Sequence, residues 1–238
     1  MSDEEIVLVD PPPLDQQEIE NLVGTKIKTL SLFRKAFTHK SALKKYTLTE
    51  SFETLEFMGD SVLGFVITKM LFDRFEKEQE GFLTKARTKL VRGNTLASIA
   101  RKLKLDQWIL MDDKGIRNGW NSNDKILEDV FEALIGAIYM DIGLLHVKEF
   151  ILKIYNDPDM VDMNCLNIDD NFKDQLMRYC QMQKMSLPTY DCVQIGNKFT
   201  THVRIGEQEF GTGDGTNKKS SEQNAAYSTL VQFREITP

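Results

Sequence analysis

The sequence predicts two unlike domains in series: an all-α domain over about residues 15–155 and a small α-β-β-β-α domain over residues 169–236. Three observations predict this. Apolar residues recur at helical spacing through the first stretch, with few segments of period-two alternation. Residues 156–168 carry Asp157-Pro158-Asp159 and little periodicity of either kind, and read as a linker. Beyond them, short strand-like runs joined by glycine turns stand between two helical segments. At 238 residues the chain has enough mass to bury two such cores.

The elements follow in order. Residues 1–14 are acidic, contain Pro11-Pro12-Pro13, and read as a disordered or extended tail. Gln17–Val23 is a helix that stops at Gly24. Leu30–Thr38 follows, then a long helix from about Ser51 to Phe75. Leu83–Leu103 reads as one or two basic helices, and Ile126–Met140 as another closed by Gly143. After the linker comes a helix, Phe172–Lys184. Pro188 precedes a strand from Thr189 to Ile195, and Gly196-Asn197 turns tightly into Phe199–Ile205. A third strand around Gln208–Gly213 leads to a glycine-rich turn, and Lys218–Phe233 is the closing helix.

Composition excludes several classes. The apolar runs are too short to span a bilayer and no secretory pattern is present, so a cytoplasmic protein without a membrane partner is expected. Cys165, Cys180 and Cys192 make an odd set without a CxxC pair, which fits a reducing compartment. His39, His146 and His202 are too scattered to complete a zinc set with them. The net charge of −6 is unevenly spread: residues 15–155 hold 22 basic against 20 acidic residues, and six of those acids fall in the clusters described next.

Two segments place acids among apolar residues. In Glu53-Thr-Leu-Glu56-Phe-Met-Gly-Asp60, the three acids fall within about 60° of one another on a helix. In Glu128-Asp129-Val-Phe-Glu132, Asp129 and Glu132 stand one turn apart. Both segments are apolar nearly all round, which marks buried helices. Burying unpaired carboxylates costs several kcal/mol or more, so something positive must offset them. The buried stretches offer no Arg or Lys, and Lys125 lies at the edge of its helix. Divalent cations are the natural answer, and an all-oxygen donor set favours Mg²⁺, with Mn²⁺ able to substitute. Caps or structural ion pairs remain the alternative for either cluster alone. No small-molecule cofactor is called for.

At these residues the sequence strongly resembles the ribonuclease III family. The family's E-x-L-E-F-L-G-D-S motif appears as Glu53-Thr-Leu-Glu56-Phe57-Met58-Gly59-Asp60-Ser61, and its second acidic segment as Asp129-Val-Phe-Glu132-Ala-Leu-Ile-Gly136. Phe37-Thr38-His39-Lys40-Ser41 is similar to its LTHxS element, and Leu90-Val91-Arg92-Gly93-Asn94-Thr95-Leu96 to its LVRGNTL run. Residues 172–233 look like a double-stranded-RNA-binding domain. The resemblance implies a homodimeric endonuclease that cuts double-stranded RNA through metal-activated water and leaves short 3′ overhangs. A non-cleaving protein that sequesters duplexes is the alternative.

Carried over by position, Glu56, Asp60, Asp129 and Glu132 would hold the metals. Glu53 and Glu80 match further family acids of the cleft, so the resemblance makes Glu53, Asp60, Glu80 and Glu132 the catalytic candidates. Phe57 would pack into a socket on the partner, although the residues alone read it as ordinary core. RNA phosphates would meet Lys85, Arg87, Lys89 and Arg92, with Asn94 beside them. In the second domain they would meet Lys218 and Lys219 at the start of the closing helix. That domain departs from the family: its first hairpin loop is short and lacks the minor-groove histidine, and residues 169–238 carry 8 basic against 9 acidic residues.

Overall fold

The computed structural model describes residues 8–167 and 170–236. The chain divides into one unit ending at Leu166 and a second beginning at Asn167, each with its own apolar core. In the first unit α1 (Gln16–Val23), α2 (Leu30–Ala36), α3 (Glu53–Arg74), α4 (Glu80–Leu90), α5 (Gly93–Lys102), α6 (Asp113–Arg117), α7 (Asp124–Ile142) and α8 (Leu144–Tyr155) surround that core. Helix α7 is its axis. Leu127, Val130, Phe131, Leu134, Ile135 and Ile138 are all fully buried, and α2, α3, α5 and α8 pack around them. The Asn123 side chain caps its start by accepting from the Lys125 N–H, and Gly143 ends it at φ 88°. Gly143 turns the chain straight into α8 rather than ending the helical region, and the Tyr155 hydroxyl then ties α8 to the Leu90 carbonyl at 2.9 Å.

Helices α3 and α7 cross at backbone contact. A Cβ on Gly59 would lie 1.7 Å from the Glu132 carbonyl oxygen, and one on Gly136 would lie 2.2 Å from that of Leu55. Any side chain at either glycine would wedge the helices apart. This crossing sets Glu56 and Asp60 of one helix beside Asp129 and Glu132 of the other.

Two stretches differ from the sequence expectation. Residues 8–14 take the extended form but are docked rather than a free tail: the Val9 N–H donates to the Lys45 carbonyl, Thr47 donates to that of Val9, and Arg34 donates to Pro12. Leu14 joins the core. Residues 1–7 lie outside the described residues. The expected linker also belongs to the first unit over most of its length. Val161 and Leu166 are buried in that unit's core, and Lys102 and Lys89 donate to the carbonyls of Met160 and Cys165. The interspersed acids mask an apolar set that covers the core's edge.

The second unit runs α9 (Phe172–Met182), β1 (Pro188–Ile195), β2 (Lys198–Ile205), β3 (Gln208–Gly215) and α10 (Lys218–Gln232), with an antiparallel sheet in the order β1-β2-β3. Gly196 and Gly206, at φ 62° and 64°, open the two-residue turns of its hairpins. Strand β3, expected to end at Gly213, runs on to Gly215 and so carries Gly211, Gly213 and Gly215. Their absent side chains let α10 lie on the strand: a Cβ on Gly213 would meet the Ala225 nitrogen at 2.1 Å.

Candidate active site

The segment before α3 fixes where its acids emerge. Phe52 donates its N–H to the Thr38 carbonyl at 2.9 Å, and His39 donates its own to that of Leu110. The His39 Nδ1 accepts from the Ser41 N–H, and its ring packs against Phe52 with centroids 5.8 Å apart. Helix α3 therefore starts from a pinned residue, with Glu53 and Glu56 in its first turn.

Carboxylate oxygens of Glu56, Asp129 and Glu132 all lie within 4.8 Å of one another. Asp129 and Glu132 are 8% and 7% exposed, whereas Glu56 is half-buried. Burial, then the charges of Asp60, Glu128 and Glu56, pushes the Glu132 carboxyl up to about 8. Burial and the Asp129 charge also raise Glu56. Asp60 is exposed and stands one turn beyond Glu56, outside the tight trio but close enough for Glu132 to feel its charge. Glu53, also exposed, accepts from Ser51 at 3.1 Å and pairs with Lys40 at 3.4 Å. The acids of α3 are thus less buried than an all-round apolar helix implies.

The reason is that one flank of α3 faces solvent in the single chain. Phe57, Phe65 and Phe72 are 76%, 60% and 64% exposed, so Phe57 is not core. Glu80 does not join the trio. It accepts from Thr84 and lines a cleft of about 180 Å³ with Thr68, Phe72 and Arg87. Thr68 lies twelve residues past Glu56, roughly 18 Å along the helix.

One residue that sequence reasoning left at the edge belongs to the cluster. Lys125 places its ammonium 2.7 Å from Asp129 Oδ1 and 3.5 Å from Glu128 Oε2. Partial burial works to lower its pKa, but the hydrogen bond and charge of Asp129, with Glu128 and Glu56 behind, push it up to about 12. The i,i+4 spacing of Lys125 and Asp129 was the signal that could have found it.

Among the basic candidates, Lys85 is exposed, Arg87 is exposed yet reaches Thr68 Oγ1 at 3.4 Å, and Lys89 is turned back to the Cys165 carbonyl. Arg92 and Asn94 flank Gly93 at the start of α5, both exposed. Lys218 and Lys219 lie exposed in the first turn of α10, which Asn217 and Ser220 close with a reciprocal cap.

Family comparisons find the same two parts. The Ribonuclease-III-like family model matches residues 30–158, and the double-stranded RNA binding motif matches residues 172–232. Together with the acid cluster they define a helical nuclease carrying a duplex-RNA-binding module. A Ribonuclease 3 of Francisella tularensis subsp. novicida is 38% identical over 213 residues, covering 87% of this chain and 89% of that protein. Putative protein A464R of Paramecium bursaria Chlorella virus 1 is 39% identical over 217 residues, covering 89% of this chain and 76% of that one. The solved nuclease domain of ribonuclease III from Campylobacter jejuni, described with a region involved in dimer formation, superposes with a TM-score of 0.54 at 36% identity. It covers 58% of this chain and 94% of its own. The chain belongs to the ribonuclease III family.

Proposed function

We propose that the protein is an endoribonuclease that cuts double-stranded RNA as a homodimer, with Mg²⁺ or Mn²⁺ held by Glu56, Asp60, Asp129 and Glu132. The observation that carries this reading is the carboxylate trio at the α3–α7 crossing, with Asp129 and Glu132 buried, in a chain that also holds an RNA-binding motif. The donor set fits a hard divalent cation: it is all oxygen, and burial with neighbouring acids pushes its Glu132 carboxyl up to about 8. Two such ions would neutralise the four carboxylates, and when bound they supply an activated water and stabilise the leaving oxygen.

The chain's own residues divide the remaining tasks. The glycine crossing holds the two pairs of acids at fixed separation, and Lys125 offsets the charge on Asp129. Asn94, Arg92 and Lys85, exposed on α4 and at the start of α5, would meet the RNA backbone, and Lys218 and Lys219 a phosphate at the start of α10. The exposed phenyl stripe on α3 favours a two-fold contact with a second copy, with Phe57 entering it. Glu80 and Glu53 then line the cleft shared between the copies rather than the trio of one chain. Two facing sites would cut opposite strands and leave short 3′ overhangs. No observation among the described residues favours a non-cleaving duplex binder.

The test is cleavage of a labelled long RNA duplex with Mg²⁺, run beside Glu132→Gln. Wild type is expected to yield short fragments while Glu132→Gln binds duplex without cutting. Failure of wild type to cut in both Mg²⁺ and Mn²⁺ would sink the reading.

A further inference from the structure

Glu128 lies outside the four proposed ligands, and its surroundings give it a separate task. It stands on α7 beside Asp129 and one turn before Glu132, with its side chain 22% exposed. Its carboxylate lies against Gly93. A Cβ on Gly93 would lie 2.5 Å from Oε2 and 2.9 Å from Cδ, so the group rests on the first residue of α5. Arg92 gives α5 no side-chain cap, and the carboxylate sits at that helix's electropositive end.

Lys125 lies within reach of both acids, 2.7 Å from Asp129 and 3.5 Å from Glu128. An ammonium and a divalent cation repel each other, so a metal at Asp129 Oδ1 competes with the lysine for that oxygen. Its flexible four-carbon stem permits a short swing, and the Glu128 carboxylate is already within reach. The missing side chain of Gly93 leaves room for that carboxylate where it can take the ammonium.

We propose that Glu128 is a positioning residue, which receives Lys125 when a divalent cation enters the acid cluster. Lys125 is then a placeholder counter-ion in the metal-free protein and a fixed cation beside the cluster in the loaded one. This rests on the metal-site reading above. It adds a fifth acid that acts through a lysine and ligates nothing itself.

The experiment is calorimetric titration of the full chain with Mn²⁺, for wild type, Lys125→Met, Glu128→Gln and the double variant, with thermal unfolding of each in chelator. Lys125→Met should bind Mn²⁺ at least about fivefold tighter, because its competitor is gone, and should unfold at lower temperature in chelator. Glu128→Gln should bind about fivefold weaker, and that loss should vanish in the Lys125→Met background. A Glu128→Gln loss of equal size in both backgrounds would mean the carboxylate acts through its own charge, which overturns the proposal. Unchanged or weaker binding by Lys125→Met would overturn it equally. If wild type binds no Mn²⁺, the metal-site reading fails first and takes this inference with it.

Discussion

Glu132 holds its proton in the folded chain at pH values where an unfolded chain has lost it, because burial and then the charge of Asp60 push its carboxyl up to about 8 from an ordinary 4.5. Between those two values the folded state binds more protons than the unfolded state, so stability falls as pH rises through the window. The metal-free protein should therefore melt at progressively lower temperature from about pH 5 to pH 8, and Glu132→Gln should flatten that slope. Thermal scans in chelator across this range check it, and an unchanged slope in the variant would place the effect elsewhere. Two glycines on α3 offer a second test at this scale. Gly59→Ala forces a methyl into the Glu132 carbonyl and should cost roughly 3 kcal/mol in urea unfolding, together with duplex cleavage. Gly64→Ala meets no atom of its own chain within 4 Å, and should be neutral or stabilise by up to about 1 kcal/mol in a monomeric background such as Phe57→Glu with Phe72→Glu.

Helix α3 shows at the element scale what an apolar pattern can and cannot say. Leu63, Val66, Ile67 and Leu71 face the core, whereas Phe57, Phe65 and Phe72 line a face open to solvent in the single chain. Apolarity all round marks a helix covered on every side, but it does not distinguish cover by the same chain from cover by a second copy. Charge placed in that stripe should therefore act on association rather than on folding. Phe57→Glu combined with Phe72→Glu is expected to convert a dimer to a folded monomer in sedimentation analysis, with its helical content intact. A dimer that persists would remove the stripe from the interface. The acids and the long helices were legible because charge inside an apolar run is conspicuous at helical spacing. The docked segment 8–14 was not, since backbone bonds such as that from Val9 to the Lys45 carbonyl leave no trace in side-chain pattern. Strand β3 runs two residues past its expected end for a related reason: Gly215 looks like part of a turn, and only the approach of α10 explains it.

For the whole molecule, charge sets how the work of binding RNA is shared. The second unit has few cations to spare. Lys173 pairs with Glu222 at 2.5 Å, Lys198 with Asp214 at 2.8 Å, and Arg204 with Asp191 at 3.1 Å. Lys218 and Lys219 remain at the start of α10, with Glu222 4.0 Å from Lys218. Residues 15–155 carry 22 basic residues, so most of the phosphate contact is expected from the first unit. A chain ending at Leu166 should accordingly lose less than about tenfold in duplex affinity at low salt, provided circular dichroism shows its helices intact. In the full chain, Lys218→Ala with Lys219→Ala should make the fall of log K against log salt shallower by roughly 2, the counterions released by two phosphate contacts. Measuring duplex binding at several salt concentrations decides the matter. A slope unmoved by the double substitution would remove α10 from the RNA surface, and a collapse of duplex binding on truncation would assign recognition to the second unit instead.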